Sequence, residues 1–182
     1  AISNRAIEIH GGSNLRALVG GLGLGYTARE LLVHKKVASV EVVEFLPPVI
    51  DWLRRGLIPL SDELNAAAHL QIAPGDVYQR LWDPPQDLFD LIVIDVDHSP
   101  SDQLGEADHR FYAAEGLLRA KSHLRECGVL AVWSYAESSC FSEALRGTFD
   151  HVHVEPITTF NALVDHEQTD WLFFGARSPV AR

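Results

Sequence analysis

The segment Leu18-Val-Gly-Gly-Leu-Gly-Leu-Gly25 decides the fold of this 182-residue chain, because a short apolar strand leads directly into three alternate glycines and then into helix-forming sequence. Gly21, Gly23 and Gly25 lack a Cβ, so the backbone turns tightly there and allows a ligand to approach closely. A glycine loop between a strand and a helix is typical of nucleotide-binding α/β folds. The segment therefore predicts a site for a nucleotide-type cofactor.

Carboxylates follow the glycine loop at positions that suit such a cofactor. Glu44 ends the apolar stretch Val37–Glu44 and follows Gly25 by nineteen residues. In doubly wound folds an acidic residue at this position binds the two ribose hydroxyls. Asp76 follows the third predicted strand, where a carboxylate accepts a hydrogen bond from an adenine amino group, and Asp95 ends the fourth.

Strand and helix patterns alternate along the chain, which predicts an α/β fold with a doubly wound, Rossmann-like sheet. We expect a mostly parallel seven-stranded sheet with an antiparallel edge strand and helices on both faces. The predicted strands are Arg16–Val19, Val37–Val43, Leu70–Ile72, Leu88–Ile94, Gly128–Trp133, His151–Ile157 and Trp171–Gly175. The predicted helices are Ile2–Ile9 with Ser3 as its cap, Thr27–His34, Pro48–Arg55, Val77–Leu81, Phe111–Leu124 and Ser138–Arg146.

The order of the elements predicts where the sheet places the candidate residues. Right-handed crossovers put the first, second and fourth strands side by side, so the glycine loop, Glu44 and Asp95 share one edge. The last two strands are joined by Thr158–Asp170, which has no helical period, and this predicts an antiparallel hairpin at the edge of the sheet. We expect one domain over residues 1–182, in which residues 1–14 form a leading helix and linker.

Composition limits the classes of partner. The chain is 47% hydrophobic with a net charge of −10, which suits one globular domain and argues against a nucleic-acid partner. No apolar run is long enough to span a bilayer and no signal peptide is recognised, so we expect a cytoplasmic protein without a membrane partner. Cys127 and Cys140 lack the spacing of a metal knuckle, and we expect two buried, reduced thiols and no metal site.

The glycine loop by itself leaves three interpretations open. Gly23-Leu-Gly25-Tyr-Thr-Ala28 also satisfies the G-x-G-x-x-A pattern of nicotinamide-dependent enzymes. An S-adenosyl-type cofactor, a dinucleotide and a purely structural role are therefore all compatible with it. The Tyr-x-x-x-Lys pair of short-chain dehydrogenases is not formed at Tyr112, which is followed four residues later by Gly116.

The full order of motifs resembles the spermidine synthase-like (polyamine aminopropyltransferase) branch of class I S-adenosylmethionine-dependent methyltransferase-fold proteins. The resemblance extends over roughly Leu15 to Gly175. The matching segments are Val19–Leu32, Val42–Ile50, Gly75-Asp76, Phe89–Asp97, Phe111–Leu117 and Gly128–Trp133. The family's small N-terminal β domain is expected to be absent from this sequence.

The resemblance implies a role for each matching position. Glu44 would bind the ribose and Asp76 the adenine, and Gly21, Gly23 and Gly25 would face the amino-acid or aminopropyl side. Asp95 matches the first aspartate of the family's Asp-Ser-Ser-Asp-Pro segment, which would contact the cofactor, orient the amine nucleophile and help take its proton. The implied cofactor is S-adenosylmethionine or its decarboxylated form, with S-adenosylhomocysteine or methylthioadenosine as product.

Two positions depart from the family pattern, and three further residues are candidates for substrate binding. Leu24 stands where the family has an aspartate that binds the terminal amine of the cofactor. The segment after Asp95 reads Val-Asp-His-Ser-Pro100, which has one residue more before Pro100 than the family's segment and lacks its second aspartate. The loop after the fourth strand is rich in acidic and imidazole groups, which are compatible with a solvated surface loop, an amine substrate or a metal. Aromatic residues follow the fifth strand. The candidate substrate-binding residues are Asp97, His98 and Tyr135.

We therefore predict a transferase that moves an aminopropyl or methyl group from an S-adenosylmethionine-type nucleoside to a small, cationic amine acceptor. A catalytically inactive nucleoside-binding or assembly module and an NAD(P)-dependent oxidoreductase are the alternatives. The apolar segment Trp171–Phe174 either packs within the sheet or pairs with a second copy, so a homodimer is left open.

Overall fold

The computed structural model describes residues 1–96, 99–100, 110–161 and 165–178. Within these residues seven strands form one sheet and seven helices surround it. The strands are β1 (Leu15–Gly20), β2 (Val37–Glu44), β3 (Leu70–Pro74), β4 (Phe89–Ile94), β5 (Leu124–Ser134), β6 (His151–Asn161) and β7 (His166–Ala176). The helices are α1 (Ile2–His10), α2 (Tyr26–Leu32), α3 (Pro47–Arg54), α4 (Ser61–Ala66), α5 (Val77–Trp82), α6 (Ala114–Ser122) and α7 (Ser139–Thr148).

The strand order is β3-β2-β1-β4-β5-β7-β6, which confirms the predicted Rossmann-like sheet. Strands β1 to β5 are parallel to one another, whereas β7 is antiparallel to both β5 and β6. The predicted terminal hairpin is therefore confirmed, with β6 outermost and β7 inserted beside β5. Because the first five strands are parallel, their carboxyl ends meet at one edge of the sheet.

Both faces of the sheet are covered, as the apolar sequence of β4 predicts. All six residues of β4 are buried. Leu91 and Val93 pack on the face covered by α1 and α2, while Ile92 and Ile94 pack on the face covered by α5, α6 and α7. Side chains alternate along a strand, so the residue that follows Ile94 returns to the α1 and α2 face.

The structure corrects the predicted start of the first helix. Helix α1 has Ala1 rather than Ser3 at its N-cap, and no side chain caps it. Ser3 is instead buried within the helix, and its hydroxyl donates a hydrogen bond to the Thr27 carbonyl oxygen at 3.1 Å. Ser3 therefore links α1 to α2 instead of capping the start of α1.

The predicted helix Phe111–Leu124 is wrong at both ends. Phe111 and Tyr112 lie in the core before α6, where the Tyr112 hydroxyl is 3.0 Å from that of Tyr78. At the other end Leu124 already belongs to β5, which begins four residues earlier than the predicted strand. The backbone φ of Cys127 is 63°, an irregular position that the apolar pattern of Gly128–Trp133 does not indicate.

Two further predictions need correction. The short helix α4 was not predicted, because its sequence has one large apolar residue, Leu64, and therefore shows no helical period. Cys127 and Cys140 are exposed rather than buried, since Cys127 lies at the irregular position in β5 and Cys140 in the first turn of α7.

No helix of the described ranges is long and apolar enough to cross a membrane.

Two histidines are held in surroundings that disfavour their charged form. Burial lowers the pKa of His10, and the nearby Asp90 opposes this effect only in part. Burial also lowers the pKa of His123, whose Nε2 lies 3.0 Å from the Asp83 carbonyl oxygen. In both side chains one ring nitrogen has no hydrogen-bond partner among the described residues. Both imidazoles therefore take up a proton less readily in the folded protein than an ordinary histidine does.

The stability of the protein should fall as the pH drops from 7.5 to 5.5. Unfolded histidine takes up a proton near pH 6.5, and a lowered pKa in the folded state means that protons favour the unfolded chain in this window. The part of the stability that depends on uncharged His10 and His123 is therefore fully present above about pH 6.5 and is lost as the pH falls below that value. Urea titrations at both pH values measure the effect, and His10→Gln should reduce the difference while His151→Gln, on exposed β6, leaves it unchanged. An equal pH difference in His10→Gln would refute this assignment.

Candidate active site

Backbone hydrogen bonds join the carboxyl ends of the first four strands into one continuous edge. Gly21 N–H donates to the Val43 carbonyl at 2.9 Å, and Gly75 N–H donates to the Glu44 carbonyl at 2.9 Å. Asp95 N–H donates to the Gly20 carbonyl at 3.2 Å. The glycine loop, Glu44, Asp76 and Asp95 therefore follow four adjacent strands, as the order of the motifs predicts.

The glycine loop adopts the backbone conformation for which glycine is needed. The φ angles of Gly21, Gly23 and Gly25 are 89°, 49° and 86°. A Cβ on Gly21 would lie 2.7 Å from the Asp95 carbonyl oxygen, so glycine allows the loop to pack against the end of β4. A Cβ on Gly23 would meet no atom within 4 Å, so the loop is open on that side. The loop is thus fixed at Gly21 and accessible at Gly23.

Glu44 points at the glycine loop and is bound to it. Its Oε2 accepts a hydrogen bond from Leu22 N–H and its Oε1 accepts one from Leu46 N–H, both at 2.7 Å. The residue is only 6% exposed. A carboxylate has about four acceptor positions, so these two bonds orient the group and leave acceptor capacity on each oxygen.

Asp76 is the N-cap of α5 and keeps one oxygen for another partner. Its Oδ1 accepts hydrogen bonds from Tyr78 N–H at 2.8 Å and from Gln79 N–H at 3.3 Å. Within the described ranges Oδ2 has no hydrogen-bond donor. Capping fixes the carboxylate at the end of β3 and leaves Oδ2 as an acceptor.

Asp95 lies immediately after β4 and is held by Thr27 from α2. The Thr27 hydroxyl donates a hydrogen bond to Asp95 Oδ2 at 2.7 Å. Although solvent reaches the side chain, desolvation by the surrounding protein raises the pKa of Asp95, and the Thr27 bond opposes that shift. The charge of Asp170 raises the pKa further. Asp95 is therefore a positioned carboxyl group that takes up a proton more readily than an ordinary aspartate.

The three predicted substrate-binding residues are only partly described. Tyr135 follows β5 at the same edge of the sheet and is 45% exposed. Asp97 and His98 lie outside the described residues, so their predicted role stays a prediction. Among the residues that the structure does describe, no group of three or more His, Cys, Asp or Glu side chains is arranged to hold a metal ion.

Two residues of this edge escaped the sequence analysis. Thr27 contacts Asp95. Its position two residues after Gly25 could have indicated that it lies at this edge. Asp170 is the fifth residue of β7, and its charge raises the pKa of Asp95. The sequence predicted that Asp170 ends the connection Thr158–Asp170, but β7 already begins at His166. The pairing of β7 with β5, which extends to Trp171, brings Asp170 to this edge.

The edge carries donor and acceptor groups that suit an adenosine. The N–H groups of Gly23 and Leu24 donate to no residue of the described ranges and lie where the loop is open. Glu44 offers residual acceptor capacity for ribose hydroxyls, and Asp76 Oδ2 offers an acceptor for an adenine amino group. These donor and acceptor types match the groups of such a nucleoside.

Sequence comparison finds relatives that are named polyamine aminopropyltransferases. Polyamine aminopropyltransferase 2 of Streptomyces coelicolor is 33% identical over 113 residues, which are 60% of this chain and 20% of that protein. Polyamine aminopropyltransferase 2 of Bacillus anthracis is 25% identical over 170 residues, which are 91% of this chain and 45% of that protein. The chain spans less than half the length of these curated relatives. No protein-family model matches it.

Structural comparison finds the same fold in two groups of proteins. Spermidine synthase from Thermotoga maritima matches 98% of this chain and 57% of its own with a TM-score of 0.73 and 18% identity. Human methyltransferase-like protein 13, in complex with SAH, matches the whole chain and 78% of its own with a TM-score of 0.66 and 17% identity.

The sheet order and these matches define a protein with the class I S-adenosylmethionine-dependent methyltransferase fold. Within that class, the sequence relatives support the spermidine synthase-like branch, as the motifs predict. The comparisons do not favour the non-catalytic module or the nicotinamide-dependent oxidoreductase.

Proposed function

We propose that this chain binds an S-adenosylmethionine-type nucleoside at the glycine loop and catalyses transfer of its aminopropyl group to a small amine. The observation that carries the proposal is the hydrogen bond between Glu44 and the Leu22 amide. This bond holds Glu44, the residue expected to bind the ribose, directly against the loop. The names of the relatives favour the aminopropyl group over the methyl group. The decarboxylated nucleoside is the corresponding donor.

In the proposed complex each residue of the edge has one task. Glu44 accepts hydrogen bonds from the ribose hydroxyls, and Asp76 Oδ2 accepts one from the adenine amino group. The open amides of Gly23 and Leu24 lie along the cofactor side of the loop. The glycines are required because side chains would obstruct the approach of the nucleoside to the backbone.

Asp95 acts on the amine acceptor. An alkylammonium has no free electron pair, so it must lose a proton before its nitrogen becomes a nucleophile. The Asp95 carboxylate attracts the cation, orients it and accepts that proton, while Thr27 fixes the carboxylate. The sulfonium supplies an activated alkyl carbon: the new C–N bond forms there as the C–S bond breaks, and its electron pair stays on sulfur as methylthioadenosine.

The acidic character of the protein agrees with a cationic acceptor. Its net charge is −10, and Asp95 and Asp170 add negative potential at the edge where the acceptor would enter. Such a potential raises the local concentration of cations.

Product analysis tests the proposed reaction. We expect decarboxylated S-adenosylmethionine and 1,4-diaminobutane to yield methylthioadenosine and the aminopropylated amine, both seen by mass spectrometry. S-adenosylmethionine with the same acceptor is the control and should yield little S-adenosylhomocysteine. Formation of S-adenosylhomocysteine alone would assign methyl transfer instead. Absence of both products, with calorimetric binding of methylthioadenosine intact, would reject the catalytic proposal.

A further inference from the structure

An open cleft lies between helices α5 and α6, on the side of the sheet. Its volume is about 420 Å³, and residues of both helices line it together with Arg110 and Phe111, which precede α6. Clefts of this volume accommodate small ligands in many proteins. The buried side chains of Phe111 and Leu81 give the cleft an apolar floor.

Gly116 allows the segment before α6 to pack against that helix. A Cβ at this position would clash with the Arg110 carbonyl oxygen and the Phe111 α carbon, so glycine is needed for this close approach. The Phe111 ring is also held from α5 by Tyr78, with 4.8 Å between the two ring centroids. Backbone packing therefore sets the place of Arg110 beside α6.

Two arginine side chains converge on Trp82 in this cleft. The guanidinium carbon of Arg110 lies 4.4 Å from the centre of the Trp82 ring, and that of Arg119 lies 5.4 Å from it. The two guanidinium carbons are thus separated by no more than these two distances together, about 10 Å. Both lie within the range of cation–π attraction, which holds a guanidinium without using its N–H donors.

Neither of these guanidiniums forms an ion pair or donates a hydrogen bond within the part of the chain that the structure describes. Elsewhere Arg29 and Arg80 each form an ion pair with a glutamate at 3.0 Å. Asp83 follows Trp82 directly, but its Oδ1 accepts a hydrogen bond from Gln79 Nε2 at 2.9 Å. The cleft therefore presents two positive charges and their free donors in a chain whose net charge is −10.

The arginine pair is separate from the proposed nucleoside site. Asp76 lines the end of the cleft at the N-cap of α5, whereas Trp82 is the last residue of that helix. Six residues of an α-helix span about 9 Å. A ligand bound by Arg110 and Arg119 would therefore lie beside the nucleoside and away from the negative charge of Asp76.

The chemistry of the cleft indicates the class of ligand. A guanidinium presents a planar fork of N–H donors that matches the oxygens of a phosphate group. Two guanidiniums match the two negative charges of a phosphate monoester, and the exposed side chains of Arg110 and Arg119 can close on one such group. The apolar floor suits the organic part of the ester.

We infer that the cleft between α5 and α6 is a second binding site, which takes a small phosphate monoester through Arg110 and Arg119. The phosphate lies between the two guanidiniums, and the organic part contacts Phe111. This site is independent of the proposed function, because it needs neither the nucleoside nor the transfer reaction.

Isothermal titration calorimetry with phenyl phosphate tests this site. We expect saturable binding to the unaltered chain, and Arg119→Gln should weaken it about tenfold to a hundredfold because charge-assisted hydrogen bonds are lost. Arg110→Gln should have a similar effect. Arg146→Gln is the matched control, since it removes the same charge from an exposed position on α7 outside the cleft, and it should change the affinity less than about twofold.

Two further titrations define the ligand and the location. Inorganic phosphate should bind more weakly than phenyl phosphate, because it makes no contact with the apolar floor. Saturating methylthioadenosine should leave the binding of phenyl phosphate in place.

Four outcomes would overturn the inference. They are no saturable binding of phenyl phosphate at about 10 mM, an equal loss of affinity in Arg119→Gln and Arg146→Gln, binding of inorganic phosphate as tight as that of the ester, and displacement of the ester by methylthioadenosine. Failure of methylthioadenosine to bind would reject the proposed function and leave this second site standing.

Discussion

Glu44→Gln is expected to weaken methylthioadenosine binding by about tenfold to a hundredfold. The carboxylate now accepts hydrogen bonds from Leu22 N–H and Leu46 N–H and keeps acceptor positions for the ribose. A glutamine amide would turn one of these acceptors into a donor that faces a backbone N–H. The hydrogen bonds to a charged group that are lost are worth about 1.5–3 kcal/mol, which sets the expected range.

Isothermal titration calorimetry measures this loss, and thermal unfolding of the variant shows whether the fold is intact. Glu126→Gln is the control, since Glu126 is exposed near the start of β5, at the opposite edge of the sheet. Unaltered affinity in Glu44→Gln would show that Glu44 only supports the loop. A fall in unfolding temperature with full affinity would lead to the same conclusion.

Asp95→Asn is expected to lower kcat for aminopropyl transfer by about a hundredfold to a thousandfold while methylthioadenosine binding persists. Asparagine still accepts the Thr27 hydrogen bond but neither attracts the ammonium group nor accepts its proton. General-base assistance contributes about 10²–10⁴-fold to rates, and the expected loss lies within that range. Steady-state kinetics at saturating donor provides the measurement.

The pH profile distinguishes a proton acceptor from a structural role for Asp95. Because desolvation raises its pKa, the active carboxylate is lost as the pH falls through that raised value. The unaltered chain should therefore show an acidic limb in kcat that begins at a higher pH than an ordinary aspartate gives, and Asp95→Asn should lack it. Asp87→Asn, an exposed position before β4, serves as control. Retention of the limb in Asp95→Asn would assign it to another group.

Local sequence was enough to predict the fold because its decisive features are local. The apolar stretch before Gly21, the alternation of strand and helix patterns and the unbroken apolar character of β4 depend on residues close together in the chain. Together with the handedness of crossovers they predict the strand order around β1. The shared edge of the candidate residues follows from that order.

Element ends were harder to predict because tertiary packing sets them. Phe111 and Tyr112 carry a sequence that suits a helix, yet they fill the core before α6 begins. Residues 124–127 extend β5 although the pattern around Cys127 is not that of a regular strand. In both places contacts with distant residues override the local preference.

The residue types and positions of the candidate site could be predicted from the sequence, but the hydrogen bonds between its residues could not. Spacing indicated Glu44 and Asp95, whereas their hydrogen bonds to Leu22 and Thr27 depend on how β2, β4 and α2 pack. Asp170 could not be predicted, because the sequence does not reveal that β7 inserts beside β5.

A crystal structure of this chain with methylthioadenosine bound tests the central claim most directly, namely that one adenosine is held jointly by the glycine loop and the carboxylates of the adjacent strands. The ribose hydroxyls should contact Glu44, the adenine amino group should contact Asp76, and the sulfur should face Asp95. A nucleoside bound away from Glu44, or one whose adenine lies away from Asp76, would contradict the account.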